Sequence, residues 1–279
     1  MLIVALLLVL GSACLHALWN ALLKRARNIQ SASLGILGVS VLITGAMIPW
    51  ITGTMFPTGK AWMWALAAGL GEGCYFVGLA RALRAAPLGW SYSWMRGVGM
   101  LLVWPVSILC LGEALRPFSA LAVAVVCLGL MVMGLVSARG QGFRAFFWAG
   151  ATGVCIAGYT LCYKAALANG AHPVGLYGLA MLVAMPIQVG VTLRAQGRAG
   201  AILPDQWGLV AVAGTLCAGS FLFYLEALTL EGAGIMATLR NTSIVFAVLF
   251  SRAIGERPTR RQWAGAALIT AGAVGLAWH

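Results

Sequence analysis

The chain has 279 residues, of which 62% are hydrophobic and 9% charged. An ordinary soluble domain is about a quarter charged, so this composition excludes a water-soluble enzyme or binding module. The formal net charge of +12 does not point to nucleic acid, because Lys and Arg fall singly in short breaks instead of forming one basic stripe.

The apolar residues come in runs of roughly twenty, the length a helix needs to cross about 30 Å of hydrocarbon. In chain order they are Leu2–Leu23, Ala32–Thr52, Trp62–Leu83, Leu88–Leu111, Phe118–Val136, Phe146–Leu167, Val174–Leu193, Trp207–Leu228, Ala233–Ile254 and Trp263–Trp278. The expected fold class is therefore an all-α integral membrane protein of ten transmembrane helices. The first run lacks a basic leader and stays apolar to Leu23, so it reads as a span and not as a signal peptide. The breaks are too short to hold a soluble domain, which places any function among the helices.

Most basic residues lie in the odd-numbered breaks, from Lys24, Arg25 and Arg27 after the first run to Arg257, Arg260 and Arg261 after the ninth. The other breaks hold only Lys60 and Arg116, with Lys164 near the end of the sixth run. The positive-inside rule puts the basic face in the cytoplasm and both termini outside. Cys14, Cys74, Cys110, Cys127, Cys155, Cys162 and Cys217 all sit in apolar runs without a C-x-x-C pair, and read as small packing residues. No metal site and no cofactor is expected, since no His is spaced to join them.

The chain repeats itself. WMRGVGMLLVWPVSILCLGEALRPFSALAVAVVCLGLMVMG in runs four and five parallels TLRNTSIVFAVLFSRAIGERPTRRQWAGAALITAGAVGLA in runs nine and ten. Arg96 falls opposite Arg240, Gly112–Glu113 opposite Gly255–Glu256, and Gly129 opposite Gly272. Ser12, Asn20 and Lys24 fall opposite Thr152, Thr160 and Lys164 at one constant offset. The unit is five helices, and an odd number of crossings makes the second copy enter from the other side, giving two inverted-topology repeats over residues 1–137 and 146–279.

A five-helix unit closing on Gly-Glu, a few polar residues and a Gly/Ala-rich helix, best seen in GERPTRRQWAGAALITAGAVGLA, resembles the EamA-type transporters of the drug/metabolite transporter superfamily. The resemblance covers the whole chain. It implies ten helices, two EamA repeats, a central cavity near the inter-repeat interface, and substrates ranging from amino acids to nucleotide precursors and organic anions. It also implies cytoplasmic termini in many members, opposite to the charge count.

Charges inside hydrocarbon cost at least about 2.5–3.5 kcal/mol each on insertion scales, so each needs a partner or a wet cavity. Arg96 lies about eight residues into its run from the cytoplasmic face and Arg240 about seven into its run from the outer face, each roughly 10–12 Å deep at 1.5 Å per residue, so the two flank the midplane. Together they would clamp one carboxylate or phosphoryl group by bidentate hydrogen bonds. The alternative is that each ties helices together through Glu72 or backbone carbonyls. Glu72, within Gly69-Leu70-Gly71-Glu72-Gly73, is either such an ion-pair partner or the carboxyl that exchanges protons as coupling ion. Ser12, His16, Asn20 and Lys24 line one face of the first helix at i, i+4 spacing, with His16 and Asn20 as substrate-binding candidates. Tyr92 and Ser243 each lie one turn from an arginine and complete the candidate substrate-binding set. Trp90 reads as an interfacial anchor, and Tyr159, Tyr163 and Tyr224 as packing residues. Glu113 and Glu256 read as helix-end partners of Arg116 and Arg257.

No Ser/His/carboxylate set, metal cluster or phosphate loop is visible, so no enzyme is expected. The expected function is secondary active or facilitative transport of a small polar metabolite, anionic or zwitterionic, by alternating access across a bacterial inner membrane. The expected partners are that solute, the lipid bilayer and protons as coupling ion, with no nucleic acid; the sequence assigns no oligomeric state. A flippase for an anionic lipid is the alternative, to be favoured by a lateral opening between helices.

Overall fold

The computed structural model describes residues 2–114, 117–136, 142–196, 206–253, 255 and 257–277. All regular structure among them is helical: α1 (Leu2–Arg25), α2 (Ile29–Met47), α3 (Gly59–Ala85), α4 (Leu88–Leu111), α5 (Pro117–Val136), α6 (Phe143–Ala168), α7 (Pro173–Gln196), α8 (Trp207–Leu230), α9 (Ala233–Arg240), α10 (Ser243–Ala253) and α11 (Arg260–Ala277). Eight segments are long and apolar enough to cross a membrane, with Ala233–Phe250 taken as one, and Pro117–Met133 is a shorter apolar helix. α11 opens on Arg260 and Arg261, which lowers its apolar length.

Local chemistry sets the boundaries. Asn28 caps α2 by accepting from Ser31 N at 3.2 Å, and Thr58 caps α3 by accepting from Ala61 N at 3.1 Å, each meeting one of the unpaired N–H groups of a first turn. α2 therefore starts before its apolar run. It ends before the expected Thr52, giving way at Ile48–Trp50 to a 3-10 turn that contains a proline. α4 stops at Gly112, whose φ of 68° is left-handed.

The ninth run departs from the expected single helix. It is broken after Arg240, and Asn241 and Thr242 make i→i+3 backbone bonds to Thr238 and Leu239 before α10 starts at Ser243. Ile254, the expected end of that helix, lies outside the described residues, as do Glu256 and Arg116 of the expected helix-end pairs.

α3 packs against α6 and α7, α1 against α8, α2 against α7 and α8, α4 against α6, and α5 against α11. α9 and α10 both pack against α1 and α4. Two lysines tie neighbouring helices. Lys24 donates to the carbonyls of Leu83 and Ala86 at the end of α3, and Lys164 to those of Leu228 and Glu231, at 2.7 and 2.8 Å, at the end of α8. Both satisfy carbonyls left over in a last turn and oppose its negative dipole end. Lys24 is thus a helix cap. The cysteines also differ from expectation: Cys217 is buried, but Cys74 and Cys110 are exposed on the outer surface of the bundle.

Close approach of α4 and α6 depends on Gly153. A Cβ there would lie 2.6 Å from Met95 O and 2.7 Å from Val98 Cβ, whereas one at Gly158 in the same helix would meet nothing within 4 Å. Gly153→Ala is expected to lower the melting temperature in detergent by an overpacking cost of about 1–3 kcal/mol. Gly158→Ala is expected to hold or raise it, by roughly 0.5–1 kcal/mol of helix propensity. Paired thermal-shift measurements check the contrast.

Candidate substrate-binding site

Arg240 ends α9 with only 1% of its surface exposed. The helix break beside it presents the guanidinium to α8 and α1. Its Cζ lies 4.0 Å from the ring centroid of Tyr224 and 4.6 Å from that of Phe221, and its Nη2 lies 3.2 Å from His16 Nδ1. Its Nε has no hydrogen-bond partner. Arg96, in α4, is also buried; its guanidinium is 6.0 Å from the Tyr92 ring, and its Nη2 has no partner.

His16 joins these groups. Its Nδ1 faces both Arg240 Nη2 and Trp19 Nε1, each at 3.2 Å. Arginine and indole N–H groups only donate, so Nδ1 accepts and the ring proton is assigned to Nε2. The His16 carbonyl accepts from Asn20 Nδ2 at 2.8 Å and from the Tyr92 hydroxyl at 3.1 Å, leaving Asn20 Oδ1 buried without a partner. Ser12, on the same face of α1, is used differently: it exchanges hydrogen bonds with Ser220 at 2.7 and 2.9 Å and joins α1 to α8.

Glu72 does not hydrogen-bond to either arginine, which corrects the ion-pair expectation. Gly69 and Gly73 pack α3 on α7, and Gly71 packs it on α6. This turns the carboxylate to α6, where Oε1 accepts from the Tyr163 hydroxyl at 3.1 Å and Oε2 has no partner. Arg240 still acts on Glu72 through space. Both arginines act electrostatically on His16, Tyr92, Tyr159 and Tyr224, so the two charges share one neighbourhood.

Ser243 is buried with an unpartnered hydroxyl, but the break at Asn241–Thr242 removes the continuous helical face expected to join it to Arg240. Trp90, in the first turn of α4, is buried, stacked on Trp94 at 6.2 Å and edge-on to Phe146 at 5.0 Å. Tyr224 and Tyr163, read as packing residues, hold an arginine and the carboxylate. Nothing in the sequence marks Phe221 or Trp19, because an aromatic side chain in an apolar run carries no sign of what it will face.

The fold and this buried polar cluster define a multi-pass helical membrane protein with a charged interior. Residues 143–278 match the EamA-like transporter family, and that match supports a membrane transporter of small molecules. No curated protein matches the chain. A solved crystal structure superposes on 98% of this chain and 96% of its own with a TM-score of 0.73 at 18% sequence identity, a likeness of fold.

The contact between Tyr163 and Glu72 is a buried bond to a carboxylate, the kind that contributes about 1.5–3 kcal/mol when the acceptor is ionised. Tyr163→Phe is expected to destabilise by that amount in the native background at a pH where Glu72 is ionised. With Glu72→Gln already present it should cost less, near 0.5–1.5 kcal/mol. A double-mutant cycle of denaturation midpoints measures the difference.

Proposed function

We propose that this chain is a secondary active or facilitative transporter of a small polar solute bearing a carboxylate or phosphoryl group, worked by alternating access in a bacterial inner membrane. Its ten crossings form two inverted five-helix repeats, residues 1–137 and 146–279. Helix pairing supports the repeat. α1 on α8 has its counterpart in α6 on α3, α4 on α6 in α10 on α1, and α3 on α7 in α8 on α2. The Lys24 cap on α3 likewise has its counterpart in the Lys164 cap on α8. Two similar halves in opposite orientation give alternating access a physical basis, since exchanging their conformations exchanges the open face.

The observation that carries the solute class is the arginine pair. Two buried guanidiniums, on corresponding helices, act on the same aromatic groups, and each keeps an N–H without a partner. A buried unsatisfied donor costs about 1–3 kcal/mol, more for a charged group, and an anionic oxygen entering between them would relieve that cost by charge-assisted bonds. Asn20, His16, Tyr92 and Ser243 furnish the polar surroundings. The unpartnered Glu72 Oε2 serves a cationic end of a zwitterionic solute or a coupled proton. The charge count of the breaks supports outside termini.

A second reading, transport of an anionic lipid, has its own support. Two lateral apolar crevices of about 240 and 270 Å³ open between helices at corresponding places. Trp94, Gly97 and Leu101 of α4 with Leu130 and Met131 of α5 line one. Leu239, Thr242 and Phe246 with Ala273 and Val274 of α11 line the other. Such crevices suit an acyl chain whose headgroup sits between the arginines.

Reconstituted liposomes separate the readings. Uptake of radiolabelled amino acids, organic acids and phosphorylated metabolites, with and without a pH gradient, is expected to saturate for an anion or zwitterion. Arg96→Ala and Arg240→Ala are each expected to lower it more than tenfold in folded protein, the loss of roughly 1.5–3 kcal/mol of charged hydrogen bonding. Uptake restricted to cations or neutral solutes, or surviving both substitutions, would sink the clamp. Translocation of a fluorescent anionic lipid without solute uptake would establish the second reading instead.

A further inference from the structure

α9 is a rod of eight residues with a break at one end and an unusual anchor at the other. At the break stands Arg240. At the start, the first two N–H groups are taken by a side chain from the first half of the chain: Glu113 accepts Ala233 N on Oε1 and Gly234 N, at 2.9 Å, on Oε2. Gly112, left-handed at the end of α4, turns the chain so that Glu113 follows the last carbonyls of that helix, with Glu113 N bonded to Ser107 O at 3.2 Å. A carboxylate on two first-turn N–H groups also meets the positive end of the helix dipole.

α4 holds the rod at two further points. The Trp104 ring lies against Gly234, where a Cβ would come within 2.9 Å of it, and Trp104 Nε1 donates to Thr238 Oγ1 at 2.8 Å. Glu113 also borders a cavity of about 400 Å³ at this end of the bundle, together with Trp104, Ser119, Glu231 and Ile235. The contact thus lies between that cavity and the arginine pair, and crosses from one half of the chain to the other.

We propose that Glu113 is a positioning residue for Arg240 and the latch of this face: its carboxylate holds α9 against α4, sets the depth of the guanidinium, and lets go when this face opens. The inference rests on the alternating-access reading for its role in the cycle, but the latch itself is read without any solute.

The experiment is polar-maleimide labelling of the full chain in nanodiscs, in a background without native cysteines. Single probes are placed at Thr238, buried in α9, and at Ser93, buried in α4; each side chain donates to the carbonyl four residues earlier, Gly234 O and Gly89 O respectively, at 2.8 Å. Glu113→Gln is expected to raise the labelling rate at Thr238→Cys roughly tenfold, as a minor open state becomes populated, with no rise at Ser93→Cys. Glu113→Asp should restore slow labelling by keeping the charge. Gly232→Ala, whose Cβ would lie 3.0 Å from the carboxylate, should act like Glu113→Gln through a different residue. An unchanged rate at Thr238→Cys in both variants, or faster labelling at both probes, would overturn the latch, the latter because general loosening is not directed to one face. Solute uptake is scored separately, so a failed arginine clamp and a failed latch give different patterns.

Discussion

A guanidinium in hydrocarbon has five N–H donors and a charge to accommodate, and the centre of this protein is organised around that demand at Arg240. Each desolvated aromatic face beneath such a cation contributes roughly 2 kcal/mol or more, so Phe221 and Tyr224 together are of the same size as the insertion cost of about 2.5–3.5 kcal/mol. His16 then supplies an acceptor for one donor. The partners come from α1 and α8, two helices far apart in sequence that are themselves joined by Ser12 and Ser220. The charge is thus held mainly by π-faces and a neutral ring, while the nearest acid is occupied by Tyr163. That arrangement keeps part of the guanidinium available, as a salt bridge would not.

Much of this was legible in the sequence because lipid makes the rules simple. Runs of apolar residues give spans, and a charge within a run stands out, which is how Arg96, Arg240 and Glu72 were found. His16 and Asn20 stand out as polar positions along one face of α1; His16 meets Arg240, and Asn20 bonds the His16 carbonyl. What escaped is of a different physical kind. The break after Arg240 was missed because Asn241 and Thr242 are only mildly unfavourable in a helix, and tertiary contacts such as Asn241 Nδ2 on Met100 Sδ decide the outcome. The partner of Glu72 was missed because facing is set by which glycine meets which helix, and the pattern of Gly69, Gly71 and Gly73 permits several answers. Glu113 was read as a local helix-end group, whereas its ligands are backbone N–H groups 120 residues away, which no side-chain pattern announces.

The two lysine caps carry a mechanical consequence. Lys24 fastens α1 to α3 at the face where both helices end, and Lys164 fastens α6 to α8 at the opposite face. Among the described residues each half is thereby fastened by such a cap at one face, and the two caps lie at opposite faces. Helices fastened in this way move as pairs, α1 with α3 and α6 with α8.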